Sequence, residues 1–265
     1  MFCDYIPLYM ILFQIRVIGI CKFYTYYRYY LSEFLLPYHT NMNSLVGDSR
    51  TKNFKIDPLV KHLNDNWSKP GAGILAMENL IRKSVIMHHG EDQFDGKLHI
   101  YISAGICDVT TRILDKDYEE TIFDVTKSNA IKEKILKALD QIQRFTLSED
   151  AMPIFTTIYP LSLKDWNNTR LRQNKTKTLK HSDKYDEMQQ HLESLIEEIN
   201  KIIVQLNVKI GMATPLIHKF LLHNRGKGKF TAKYNLLVDG CHPSPTLKQK
   251  IANSIKISIS KNRSK

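Results

Sequence analysis

Two short stretches, far apart in the chain, hold the residue types that could do chemistry: Gly47-Asp48-Ser49-Arg50 and Asp239-Gly240-Cys241-His242-Pro243. Serine is a weak nucleophile at neutral pH, so it needs a base within hydrogen-bond reach and a third group that holds the base in the right tautomer. An Asp-x-x-His spacing puts carboxylate and imidazole on one tight turn. Asp239 could then orient His242 while the other ring nitrogen faces Ser49, giving nucleophilic catalysis by an activated serine. Each residue also has a plainer reading. Ser49 can be a helix cap or turn serine, Asp239 a turn aspartate beside Gly240, and His242 a capping or surface histidine before Pro243. An Asp-x-x-His match arises by chance about once in every few chains at average composition, so neither stretch decides anything alone.

The elements that must position these residues follow from hydrophobic period and turn chemistry. Met42 to Val46 reads as a short buried strand that runs into the Gly47 turn, and Lys97 to Ala104 as a β-rich strand that runs into Gly105-Ile106-Cys107-Asp108. Pro153 to Tyr159 and Val208 to Thr214 are two further strand candidates, each closing near a proline. Ile131, Ile135, Leu139 and Ile142 share one helical face, as do Met188, Leu192, Leu195, Ile199, Ile202 and Leu206. Ser244 followed by Pro245 opens a last helix, with Leu247, Ile251 and Ile255 as its buried stripe. Strands alternating with helices predict a mostly parallel central sheet covered on both faces, a three-layer α/β/α sandwich. Ligands in such sheets bind beyond the carboxyl ends of the strands, which selects Ser49, the Gly105 turn and the loop carrying Asp239 and His242.

In this order and spacing, Gly47-Asp48-Ser49, Gly71 in KPGAG, Gly105-Ile106-Cys107-Asp108 and Asp239-Gly240-Cys241-His242-Pro243 resemble the ordered blocks of the SGNH (GDSL-like) hydrolases. The resemblance spans roughly residues 42 to 260. Its stretch YNLLVDGCHPSPTLKQKIANSI is particularly similar to SGNH-like domains of animal open reading frames, some of them retrotransposon-encoded. The resemblance implies a flavodoxin-like α/β hydrolase domain over 41–265, with Ser49 as nucleophile, His242 as general base and then acid, and Asp239 as orienting carboxylate. It implies acyl transfer to water through an acyl-serine, without a cofactor. Its oxyanion hole would use the backbone N–H of Ser49, that of Gly71, and an asparagine side chain where this chain has Cys107; Gly105 would belong to the same region. A thiol is a poor donor beside an amide, and losing one such donor costs on the order of a hundred- to a thousandfold in rate.

The bulk numbers fit one main domain. The chain has 265 residues, 43% hydrophobic and 25% charged, which argues against wholesale disorder and against a polytopic membrane protein. Its formal charge of +11 favours anionic partners. Arg50, directly after the serine, could lie along the mouth of the site and attract an anionic substrate, or could simply be solvated. A polar, basic insertion runs around 164–184, and Arg225, Lys227, Lys229 and Lys233 form a second cluster; both could contact nucleic acid, although charge runs are usually solvated faces. The cysteines Cys3, Cys21, Cys107 and Cys241 lack metal-ligand spacing, and no metal is expected. His88 and His89 are adjacent and point apart, so they read as a helix end. The triplets starting at Asn66, Asn167, Asn174 and Asn262 would be glycan acceptors only in a secreted chain. Residues 1–40 form an apolar and aromatic extension, from Tyr5 to Ile20 and then Lys22 to Tyr30, short for a bilayer span and interrupted by Gln14 and Arg16. It reads as a leader, a signal or an anchor that could contact a membrane; localisation stays open, with the cytoplasm slightly favoured. The expected activity is a serine esterase, as a monomer, on a small-molecule, carbohydrate or lipid ester. The competing expectation, motivated by Cys107 and the charge, is a catalytically weak binding module, a nucleic-acid-associated accessory of a mobile element.

Overall fold

A computed structural model describes residues 42–52, 65–89, 96–224 and 230–262. The extension over 1–40 with Cys3 and Cys21, and the cations Arg225, Lys227 and Lys229, lie outside the described residues. In chain order the elements are β1 (Met42–Gly47), β2 (Asp65–Ser68), α1 (Glu78–His89), β3 (Leu98–Ser103), α2 (Ile106–Val109), β4 (Thr111–Leu114), β5 (Glu119–Ile122), α3 (Ser128–Ser148), β6 (Ala151–Phe155), α4 (Leu163–Gln173), α5 (Tyr185–Lys209), β7 (Leu222–Asn224), β8 (Phe230–Ala232) and α6 (Pro245–Asn262).

Among the described residues the main sheet has four strands in the order β2-β1-β3-β6, all parallel. Val46 pairs with Trp67 on one side and Ile102 on the other, and Ile102 pairs with Phe155. Because side chains alternate across a strand, neighbouring residues of β1 and β3 feed opposite layers. Val46, Ile100 and Ile102 pack with Ile81 of α1, Leu139 of α3 and Leu192 of α5, whereas Leu45 and Tyr101 pack with Leu247, Ile251 and Ile255 of α6. The sheet is therefore buried on both faces, as the three-layer α/β/α expectation requires. Each of those α6 side chains is essentially inaccessible and contributes roughly 1.5–3 kcal/mol of hydrophobic stabilisation. Ser244 Oγ accepts from Leu247 N at 3.3 Å and Pro245 opens α6, as read from the sequence. His88 and His89 close α1. Among the described residues no helix is long and apolar enough to cross a membrane.

Three expectations change. The strand expected over Pro153 to Tyr159 begins two residues earlier and stops at Phe155; Pro153 sits in β6, an edge strand, where a missing N–H is tolerated. The region 208–214 is not a strand. The helical stripe of α5 carries on to Lys209, Gly211 then turns the chain at φ 75°, and Thr157 donates to Pro215 O at 3.1 Å as the segment passes the sheet. The place a ladder would occupy is taken by α5 itself. Asn207 accepts from Phe155 N at 3.0 Å and donates to Phe155 O at 2.7 Å, and Asn200 makes the same pair of bonds to Ile158, both at 2.7 Å. Third, the stretch read as a basic insertion holds α4, started by Ser162 Oγ accepting from Asp165 N. Buried Asn167 pins this helix to the β4–β5 hairpin through Thr121 N and O, at 2.7 and 2.8 Å. Asn167 and Asn262 are buried, so in the folded chain their triplets cannot carry glycans.

Candidate active site

Gly47 ends β1 against the next strand. An added Cβ would stand 2.6 Å from Ser103 O, so only glycine lets the chain turn here. Asp48 then donates its N–H to Ser103 O at 3.1 Å, and its carboxylate accepts from Arg50 N at 2.9 Å, capping the short 3-10 turn that carries Ser49. Arg50 does not attract anions at the mouth. Its side chain is 4% exposed, its Nη2 donates to Asp48 Oδ2 at 2.9 Å and its Nη1 to Tyr159 O at 3.0 Å, and the guanidinium lies over the Tyr159 ring. Burial opposes the charge, but Asp48 outweighs it and holds Arg50 protonated beyond its ordinary range. Neither the ligand-facing nor the solvated reading of Arg50 holds: it is the buried counter-ion of the turn aspartate.

The second stretch arrives on a loop clipped shut by Val238 N donating to His242 O at 2.8 Å and Ser244 N to Leu236 O at 2.9 Å. Gly240, at φ 85°, backs onto α4; a Cβ there would meet Trp166 N at 2.5 Å. Asp239 Oδ1 accepts from the amides of Cys241 and His242, at 2.9 and 2.7 Å, which leaves Oδ2 facing His242 Nδ1 at 2.7 Å. Burial pushes the Asp239 carboxyl up, but the bonds from the His242 amide and imidazole and from the Cys241 amide outweigh it, so it stays ionised below the usual carboxylate range. His242 Nε2 lies 3.0 Å from Ser49 Oγ. With the Nδ1 proton directed at the carboxylate, Nε2 is left to accept from the serine hydroxyl. Hydroxyl, imidazole and carboxylate thus form one hydrogen-bonded row.

This row opens on a cavity of about 490 Å³ whose walls include Ser49, Gly71, Cys107, Trp166, Arg170 and His242. Gly71 and Cys107 are therefore brought to the serine, whereas Gly105 is not part of the wall. It makes the turn before α2, at φ 129° with Ile158 where a side chain would go. The two loops carrying Gly71 and Cys107 are tied together by Asp108, whose Oδ2 accepts from Ile74 N at 2.8 Å and whose carboxylate fills the space a Cβ on Gly73 would take. Cys107 is reachable by solvent, yet the cavity walls desolvate its thiol, and with Asp48 nearby they push its pKa up to about 11. Cys241 is buried, and burial likewise raises its thiol well above the ordinary range. Trp166 was not singled out in the sequence. Its ring meets the His242 ring edge-on at 5.6 Å, and its Nε1 donates to Thr121 Oγ1 at 3.1 Å. Lying inside a polar, basic run, it carried no signal beyond being one of two tryptophans.

A GDSL-like lipase from Bacteroides thetaiotaomicron superposes over 90% of this chain and 98% of its own length, with a TM-score of 0.53 and 13% sequence identity. The chain has an SGNH-like fold. At such low identity the likeness establishes the fold alone. A protein from Bacteroides fragilis matches with a TM-score of 0.49 and 16% identity, over 84% of this chain and 88% of its own. The OSK domain of Drosophila Oskar matches with 0.45 and 15%, over 81% and 86%. No protein-family model matches the sequence, and no curated protein is significantly similar to it.

Proposed function

We propose that this chain is a serine ester hydrolase acting on a small or lipid-like acyl ester, or on an acetyl group of a carbohydrate. The observation that supports it is the row from Ser49 Oγ to His242 Nε2 at 3.0 Å and from His242 Nδ1 to Asp239 at 2.7 Å, open to a cavity. In this reading Ser49 Oγ attacks the ester carbonyl carbon while His242 Nε2 takes its proton. The tetrahedral intermediate collapses to an acyl-serine, and the imidazolium returns the proton to the departing alcohol oxygen. Water then repeats the attack, with His242 again accepting and returning one proton, to release the acid and free Ser49. Asp239, fixed by two backbone amides, keeps the imidazole in the required tautomer and stabilises its charged form. The Ser49 and Gly71 amides and the Cys107 thiol are the proposed donors to the oxyanion. Because the thiol titrates near 11, it meets the substrate as a neutral S–H and does not repel the developing negative charge. The test is labelling by a fluorophosphonate probe together with hydrolysis of nitrophenyl acetate. Ser49→Ala should abolish labelling and lower turnover by on the order of 10⁴-fold or more. Labelling that survives this substitution would refute the assignment.

A further inference from the structure

The cavity wall also carries two guanidiniums that the esterase reading does not use. Arg112 projects from β4 and Arg170 from α4, and both line the cavity. They converge on one carboxylate oxygen: Glu119 Oε1 lies 2.6 Å from Arg112 Nη2 and 2.7 Å from Arg170 Nη2. Burial raises the Glu119 carboxyl, but Arg112 and then Arg170 more than reverse this, so Glu119 is an anion. Two cations therefore share one negative charge, and one positive charge is left over at the cavity. Among the described residues Asp48 is the one carboxylate in the wall, and it is neutralised by Arg50. Asp239 stands behind the His242 imidazole. Thr110 and Thr121, also in the wall, are uncharged.

The position of this excess charge is set relative to the proposed chemistry. The Arg170 guanidinium lies over the Trp166 ring, 5.1 Å from its centroid, and the same ring meets His242 edge-on. One aromatic ring thus contacts both the imidazole and the Arg170 guanidinium. Each guanidinium has five N–H donors, far more than a shared carboxylate oxygen can use, and their planar fork matches carboxylate and phosphate oxygens.

We propose that Arg112 and Arg170 form an anion subsite that selects esters carrying a carboxylate or phosphate group beyond the scissile bond. The proposal rests on the esterase reading for the reaction but not for the binding, and the experiment separates the two. Two matched substrate pairs place the anion on either side of the bond: the nitrophenyl monoester of glutarate against nitrophenyl butyrate, and para-acetoxybenzoate against para-acetoxybenzamide. The readout is the ratio of kcat/KM for the anionic over the neutral member, corrected for intrinsic reactivity with hydroxide. A ratio of about ten or more is expected in at least one pair for the full chain, as a charged hydrogen bond at a partly solvated site provides. It should fall towards one in Arg112→Gln/Arg170→Gln and rise in Glu119→Gln, which frees both cations. Partial unfolding lowers both members of a pair and cancels in the ratio. Ratios that neither variant moves would overturn the subsite. Tryptophan fluorescence of Ser49→Ala, titrated with glutarate monomethyl ester and methyl butyrate, reads binding without turnover. A preference for the anion there, with no hydrolysis by the unaltered chain, would leave the subsite standing and sink the esterase reading. Equal binding of the two would sink the subsite alone.

Discussion

Replacing Cys107 by asparagine should make the chain a faster esterase. A strong oxyanion donor is worth on the order of a hundred- to a thousandfold in kcat, and a neutral thiol supplies part of that at most, since S–H is a weak donor. Cys107 opens on a cavity of about 490 Å³, so the larger carboxamide can enter without overpacking the core. The expected gain is therefore about ten- to a hundredfold in kcat for nitrophenyl acetate, with KM little changed, because the new bond strengthens only as the oxyanion forms. The size of the gain should also be constant across neutral pH. The thiol titrates near 11, so the residue replaced is the same neutral S–H throughout. Cys107→Ala supplies the reference without a side-chain donor at this position, and should turn over no faster than the unaltered chain. Steady-state kinetics of the three proteins, with active sites counted by fluorophosphonate titration, decide the matter. A Cys107→Asn rate at or below that of the unaltered chain would refute this assignment of the third donor.

The remaining outcomes concern the supports of the site. Asp48→Asn leaves the Arg50 guanidinium buried without its counter-ion and should cost about 3–5 kcal/mol of stability in urea unfolding, while Asp48→Asn/Arg50→Met should recover part of it; a loss within measurement error would show that the pair is not needed. Asp239, held ionised below its unfolded pKa, contributes stability that is present above the ordinary carboxylate range and lost as pH falls through its depressed folded value, so Asp239→Asn should flatten the acid limb of the stability profile. The same substitution should lower kcat by on the order of 10⁴-fold; an unaltered acid limb would contradict the depressed value.

What was legible in the sequence was whatever depends on near neighbours. The strand from Met42, the Ser244-Pro245 helix start and the Asp239-x-x-His242 turn are short-range patterns, and the structure has each where it was read, the strand running one residue further to Gly47. Bringing Ser49 and His242 together required the resemblance to ordered family blocks, since the serine alone is indistinguishable from a turn residue. Arg50 was misread because burial of its charge depends on Tyr159, more than a hundred positions away, as well as on adjacent Asp48. Val208 to Thr214 was misread because β-branched residues at a helix end look like a short strand. Trp166 and Arg170 were hidden inside a run whose overall polarity suggested solvent. Nothing local reveals that Asn167, beside them, is an anchor that turns one face of that helix inward.

The asparagine side chains on α5 have a consequence for how this protein lives at high concentration. A carboxamide presents a donor and an acceptor in the same plane as a peptide unit, so Asn207 and Asn200 satisfy the outward-facing main-chain groups of Phe155 and Ile158 as a further strand would. An open flank of unpaired main-chain groups invites strands from other molecules to add, the first step towards fibrils and swapped oligomers. Here the flank is insulated by two residues fixed to a packed helix, with Pro153 offering no N–H of its own. At this flank the barrier to strand addition is thus provided by side chains of the same fold, and it is lost if α5 detaches.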